Sequence, residues 1–225
     1  RGLGDVYKRQ ALIGHNGVGK STLLRLIAKE LSPSSGSVQV NTSTYYVPQV
    51  VGQFEDKTVA EALGIAKKLN ALHAILAGDA SEENFNRLQD DWTLEERCQE
   101  AFEQWDLHDI QLTQQMSSLS GGQKTKVLLA GIHIHRSELI LLDEPSNHLD
   151  MDSKTLLYDW IQSSKNTVII VSHDRTLLNL LDDMAEMTPM GIKRYGGNYA
   201  FYETQKETER HTLQQDIHHK ERAIK

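Results

Sequence analysis

Residues 14–21 read Gly-His-Asn-Gly-Val-Gly-Lys-Ser and fit G-x-x-x-x-G-K-[ST], a loop whose backbone amides wrap phosphate oxygens. Gly14, Gly17 and Gly19 permit backbone shapes and close approach that side chains forbid. The successive amides form a nest, reinforced by the N-terminus of the helix that follows. Lys20 supplies a point charge to the outer phosphates and Ser21 a hydroxyl to magnesium, while Asn16 and Thr22 complete the phosphate-binding stretch. Residues 139–145, Leu-Ile-Leu-Leu-Asp-Glu-Pro, end four apolar positions in a carboxylate pair. Such a pair sits at the C-terminal edge of a buried strand, where open α/β sheets bind ligands. Asp143 would hold the metal there, directly or through water, and Glu144 would polarise an attacking water as general base. Residues 119–123, Leu-Ser-Gly-Gly-Gln, make a turn that opens a helix, an anion site built from Ser120, Gly121, Gly122 and Gln123.

Elements at definite spacings must carry these groups. Leu23, Leu24, Leu26, Ile27 and Leu31 recur at helical spacing and predict a helix over 20–31, closed by a Ser/Pro/Gly turn. Two short strands are expected at 37–40 and 44–47. A helix is expected over 59–76, from the stripe Val59, Ala62, Leu63, Ala66, Leu69, Leu72 and Leu76. A second helical segment carries Leu94, Cys98, Ala101, Phe102 and Trp105 on one face, so a helical subdomain spans about 56–118. The pattern then returns to alternation: a helix from about 122 to 135, a strand at 139–142, a helix at 153–162, a strand at 167–171 and a helix from Asp174. That order implies an α/β fold, a mostly parallel sheet covered by helices on both faces. Tyr195 to Tyr199 mark a turn, and from Ala200 the chain reads as one polar helix.

The chain has 225 residues, 39% hydrophobic and 24% charged, ordinary values for a globular protein with a sizeable core. A net charge of -7 argues against bulk electrostatic binding of nucleic acid and leaves room for a local basic patch. From Lys193 to Lys225, seven basic residues face five acidic ones, so the terminal helix differs in character from the acidic body. A single cysteine, Cys98, excludes an internal disulfide and falls on an apolar stripe, which reads as a core thiol. Apolar runs are strand-sized, with no membrane span and no signal peptide. Residues 1–10 read poorly as part of the domain and are expected to be a non-native leader, with Tyr7 too close to the phosphate loop to stack on a base. His133 and His135 are two apart on a helix and face different sides, poor metal geometry; His211, His218 and His219 belong to a solvated helix face.

Together and in this order, the three strings resemble the ATP-binding-cassette family, and the resemblance covers about residues 11–225. It implies ATP and Mg2+ as ligands and a hydrolytic ATPase. It adds His173, at the end of strand 167–171, as the switch histidine near the γ-phosphate. It also adds Gln49 as a residue contacting metal and water and relaying nucleotide state to the helical subdomain. In the family the Ser120 turn touches ATP held by a different cassette, and residues 147–150, with Asp150 the most diagnostic, resemble the loop that crosses to that partner. A second cassette, in the same full-length chain or in a homodimer, is therefore the implied partner.

Residues 144–150, the stretch 195–202 with its charged helix, and Asp91 to Arg97 are similar to the F-type branch, whose members carry two cassettes in one chain and act on the ribosome in the cytoplasm. In that scheme 11–197 form a first cassette and 198–225 start the inter-cassette linker. The family's adenine-stacking strand has no counterpart here. The ATPase subunit of a membrane transporter is the alternative, which a long polar linker argues against. A clamp that binds nucleotide without turnover is a third reading, which Glu144 argues against.

Overall fold

Our computed structural model describes the backbone of residues 8–223, and their side chains except at 213 and 216–223. The strands are β1 (Arg9–Ile13), β2 (Thr44–Val47), β3 (Leu139–Asp143), β4 (Thr167–Val171), β5 (Asp183–Thr188) and β6 (Gly191–Gly196). They form one sheet in the order β2-β3-β4-β1-β5-β6. β1 to β5 are parallel, and β6 returns antiparallel to β5 through a tight turn. β3 is buried along its whole length, as expected of a Leu/Ile run covered on both faces. Its side chains alternate: Ile140 and Leu142 join the large core, Leu139 and Leu141 a smaller core on the opposite face. Ala11 and Ile13 of β1 divide from Leu12 in the same way.

The helices are α1 (Lys20–Ile27), α2 (Val59–Ala62), α3 (Ala66–Leu76), α4 (Glu82–Leu88), α5 (Leu94–Gln104), α6 (Gly121–His135), α7 (Met151–Ser163), α8 (Arg175–Leu178) and α9 (Tyr199–Ala223). α1 covers the smaller core through Leu24, whose complete burial stabilises the fold by about 1.5–3 kcal/mol. α6 lies between the sheet and α5, with Val127, Leu129 and Ala130 fully enclosed. Gly131 is required there, because any Cβ would overlap the Tyr45 hydroxyl. The helical region α2–α5 shares this core through Val59, Leu69, Leu94, Cys98 and Trp105. Burial pushes the Cys98 thiol up to about 12, so it is an unreactive core group.

Four sequence expectations are corrected. Residues 37–40 form no strand: they are mostly exposed, and β2 pairs only with β3. The helix from Lys20 stops at Ile27 because Lys29 adopts φ 62. The stripe over 59–76 is two helices, since Gly64 takes φ 71 and Ile65 N–H turns back to the Ala60 carbonyl, a glycine stop. The sheet also starts before Ala11, where the leader boundary was drawn. Arg9 pairs with Val168, and its guanidinium binds the Asp182 carboxylate at 2.8 and 2.9 Å. Residues 1–7, with Tyr7, and the side chains of His218 and His219 lie outside the described residues. α4 was not foreseen, because it buries only Asn84 and Leu88 and so leaves almost no stripe.

Candidate active site

The loop after β1 enters α1 through three glycines in left-handed or related geometry, with φ 146 at Gly14, 80 at Gly17 and 107 at Gly19. At Gly14 a Cβ would strike the Met187 carbonyl. Gly19 caps α1 without any side-chain hydrogen bond, so the first amides of the helix are open to an anion. Lys20 is buried, and its ammonium donates to the carbonyls of Gly14 at 2.8 Å and His15 at 3.1 Å, inside the ring of the loop.

Across from it stands the end of β3. Asp143 is 2% exposed; its Oδ2 accepts from the Tyr46 hydroxyl at 3.3 Å and its Oδ1 is buried without a partner. Glu144 turns sharply out of the strand at φ 51, an uncommon conformation for a side chain this size, while its N–H donates to the Val171 carbonyl at 2.7 Å. That turn sets its carboxylate beside His173: Oε2 accepts from the His173 N–H at 3.3 Å, and Oε1 lies 3.5 Å from His173 Nε2. Burial raises the Glu144 carboxyl above its ordinary value, and the neighbouring His173 opposes that rise. A raised carboxylate suits proton abstraction near neutral pH.

These groups line one cleft of about 430 Å³ that gathers Asn16, Gly17, Gly19, Lys20, Ser21, Thr22, Gln49, Asp143, Glu144 and His173. Asn147, not assigned to the site from sequence, joins them. Gly14 lines an adjoining cleft of about 410 Å³, which shares Lys20 and His173 and is walled by the root of α9. There Glu186 accepts from Tyr202 at 3.1 Å and Lys206 at 2.8 Å. That neighbour was missed, because nothing in the spacing of a polar tail announces a return to the phosphate loop.

Ser120, Gly121, Gly122, Gln123 and Asp150 do not line the phosphate cleft. Ser120 caps α6 in a reciprocal box: its Oγ accepts from the Gln123 N–H at 3.2 Å, and Gln123 Oε1 accepts from the Ser120 N–H at 2.9 Å. Asp150 caps α7, its Oδ1 accepting from the Ser153 N–H at 2.8 Å. The two turns meet at His148, whose carbonyl a Cβ on Gly122 would approach to 2.9 Å.

Among the described residues no group of three or more His, Cys, Asp or Glu side chains gathers to hold a metal. A cation in the cleft would therefore rely on mixed oxygen donors, as magnesium does with phosphates. The orphaned Oδ1 of Asp143, with Ser21 and Gln49 on the same cleft, fits that role. His133 and His135 do not take part: burial lowers both, and His135 stacks on Tyr45 and donates to the Leu63 carbonyl at 2.7 Å. No helix among the described residues is long and apolar enough to cross a membrane.

The chain has relatives among known proteins. The chain is 33% identical over 217 residues to YheS of Escherichia coli, covering 89% of this chain and 33% of that protein. It is 34% identical over 235 residues to the tylosin resistance ATP-binding protein TlrC of Streptomyces fradiae, covering 92% and 42%. The chain thus spans about a third to two fifths of the length of these relatives. In fold it is similar to the dimeric ATP-binding cassette MJ0796 bound to ADP and Pi, with a TM-score of 0.64, 19% identity, and coverage of 84% of this chain and 85% of that one. The family model described as ABC transporter matches residues 7–147. The chain belongs to the ATP-binding-cassette family and carries its nucleotide-binding ATPase cassette.

Proposed function

We propose that this chain binds ATP with magnesium and hydrolyses it as the first cassette of a two-cassette, F-type protein that works on the ribosome in the cytoplasm. The observation that carries the hydrolytic part is Glu144, buried beside Asp143, held by the His173 N–H and facing the same cleft as Lys20. The loop amides and Lys20 bind and orient the phosphates. Glu144 takes a proton from water aligned for in-line attack, and His173 fixes the Glu144 carboxylate and reaches toward the terminal phosphate. Magnesium, when bound through Ser21, Asp143 and Gln49, neutralises charge on the phosphate oxygens. Ser120 and Gly121, exposed and away from this cleft, serve with the half-buried Gly122 the nucleotide of the second cassette, and Asp150 belongs to the loop that meets it. The F-type reading is supported by residues 144–150 and by the 25-residue polar helix α9 that follows the sheet.

Sedimentation of the Glu144→Gln chain tests this reading, with and without magnesium ATP and in the presence of purified ribosomes. The expected result is nucleotide-dependent self-association of the free chain and nucleotide-dependent co-sedimentation with ribosomes. Absence of nucleotide binding would sink the cassette mechanism. Bound nucleotide with no ribosome association would sink the ribosomal assignment alone.

A further inference from the structure

We propose that Tyr46 is the positioning residue for Asp143: its hydroxyl holds one carboxylate oxygen so that the other stays available to a divalent cation in the phosphate cleft. The proposal rests on the reading of Asp143 as the metal-side carboxylate.

β2 pairs with β3 in parallel register, with Tyr46 opposite Leu141 and Val47 opposite Leu142. Successive side chains on β2 point to opposite faces. Tyr45 therefore reaches α6, where its hydroxyl donates to the Leu128 carbonyl at 2.7 Å. Tyr46 instead packs against the smaller core, the cluster that holds Leu24 of α1 and Leu141 of β3. Asp143 lies two residues beyond Leu141, about 6.6 Å along the strand, on that same face. A tyrosine ring leaning along the strand spans that gap, and the Tyr46 hydroxyl meets Asp143 Oδ2 at 3.3 Å.

The two oxygens of Asp143 thus differ. Oδ2 is held by Tyr46, while Oδ1 is buried and has no partner among the described residues. A buried, unpartnered carboxylate oxygen is costly unless something binds it. The terminal torsion of an aspartate is broad and roughly two-fold, so packing alone defines its plane poorly. One directed hydrogen bond removes that freedom. Because Tyr46 packs against the same small core as Leu24 of α1, the helix that begins with Lys20 and Ser21, one side chain joins the core under the phosphate helix to the carboxylate.

Tyr46→Phe keeps the ring and deletes the hydroxyl. The test is binding of a fluorescent ATP analogue, titrated with Mg2+ and repeated in EDTA, for the original chain and for Tyr46→Phe, Tyr45→Phe and Asp143→Asn. In Tyr46→Phe the Mg2+ concentration for half-maximal binding should rise about tenfold, the low end for loss of an outer-sphere partner. Affinity in EDTA should stay within about twofold, and Tyr45→Phe should match the original chain. An unmoved Mg2+ midpoint in Tyr46→Phe, beside a large shift in Asp143→Asn, overturns the role of Tyr46. Equal loss of binding with and without Mg2+ also overturns it, since that reports damage to the fold. An unmoved midpoint in Asp143→Asn removes the metal assignment itself, and the role of Tyr46 with it.

Discussion

Helices α1 and α6 both open on glycine-rich turns, yet they dispose of their first N–H groups differently. α1 follows Gly19 at φ 107 with no capping side chain, so its first amides are open to water or a ligand. α6 follows Ser120, whose hydroxyl and Gln123 close a complete capping box. One helix start is uncapped, carries Lys20 and faces Asp143 and Glu144 across a cleft. The other has its Gln123 N–H capped by Ser120, leans on His148 and leaves Ser120 exposed. Ser120 accepts one hydrogen bond and still has its own O–H to donate. The difference separates an uncapped helix start on the cleft from a capped one outside it.

The largest expected effect lies on the α1 side. Glu144→Gln should lower ATP hydrolysis by about two to four powers of ten while leaving nucleotide binding intact, measured as phosphate release beside equilibrium binding. The pH profile of the original chain should carry an acid limb above the ordinary glutamate range, because burial raises Glu144 and only its ionised form accepts a proton. The sign for stability is opposite to that of a salt-bridged carboxylate. The folded chain holds this proton more tightly than the unfolded one, so the Glu144 contribution to stability declines as pH rises from the ordinary value of 4.5 through the raised one.

Lys20→Ala and Ser120→Ala compare the two helix starts directly. Losing the Lys20 ammonium should weaken ATP binding by the isolated chain by about 10- to 100-fold, as expected for a charged hydrogen-bonding partner. Losing the Ser120 hydroxyl should cost about 1 kcal/mol of stability through the cap, read by denaturant unfolding, and leave that binding within about twofold. An equal fall in binding for both would mean that the Ser120 turn serves the nucleotide of its own chain. Alanine at the glycines extends the comparison to the backbone, with the smallest effect expected at Gly121. Gly19→Ala forces a side chain into φ 107 and should cost about 1–3 kcal/mol. Gly121→Ala meets the His148 side chain at an ordinary 3.7 Å and should be tolerated, which thermal melting would show.

Much of the cleft was legible because its groups are tied to local backbone signals. Three glycines before Lys20 demand a loop, and four apolar residues before Asp143 demand a buried strand. β2 and β4 were bounded correctly for the same reason: short apolar runs flanked by polar turns. Residues 37–40 show where that logic fails, since alternation of this length makes a strand only if a neighbour exists to pair with. The division of 59–76 at Gly64 was present in the sequence and overridden by the continuity of the stripe.

Order along the chain was enough to read the alternating strands and helices, the phosphate loop, the carboxylate pair and the Ser120 turn, because each is encoded among near neighbours. Only the tertiary structure decided which of these share a cleft. It brought Gln49 and His173 to Asp143 and Glu144 through the parallel order β2-β3-β4, and kept Ser120 and Asp150 outside. It also set Tyr46 on Asp143 and folded the root of α9 beside the phosphate loop. Those contacts join residues far apart in the chain, and strand register and helix packing, rather than local spacing, select them.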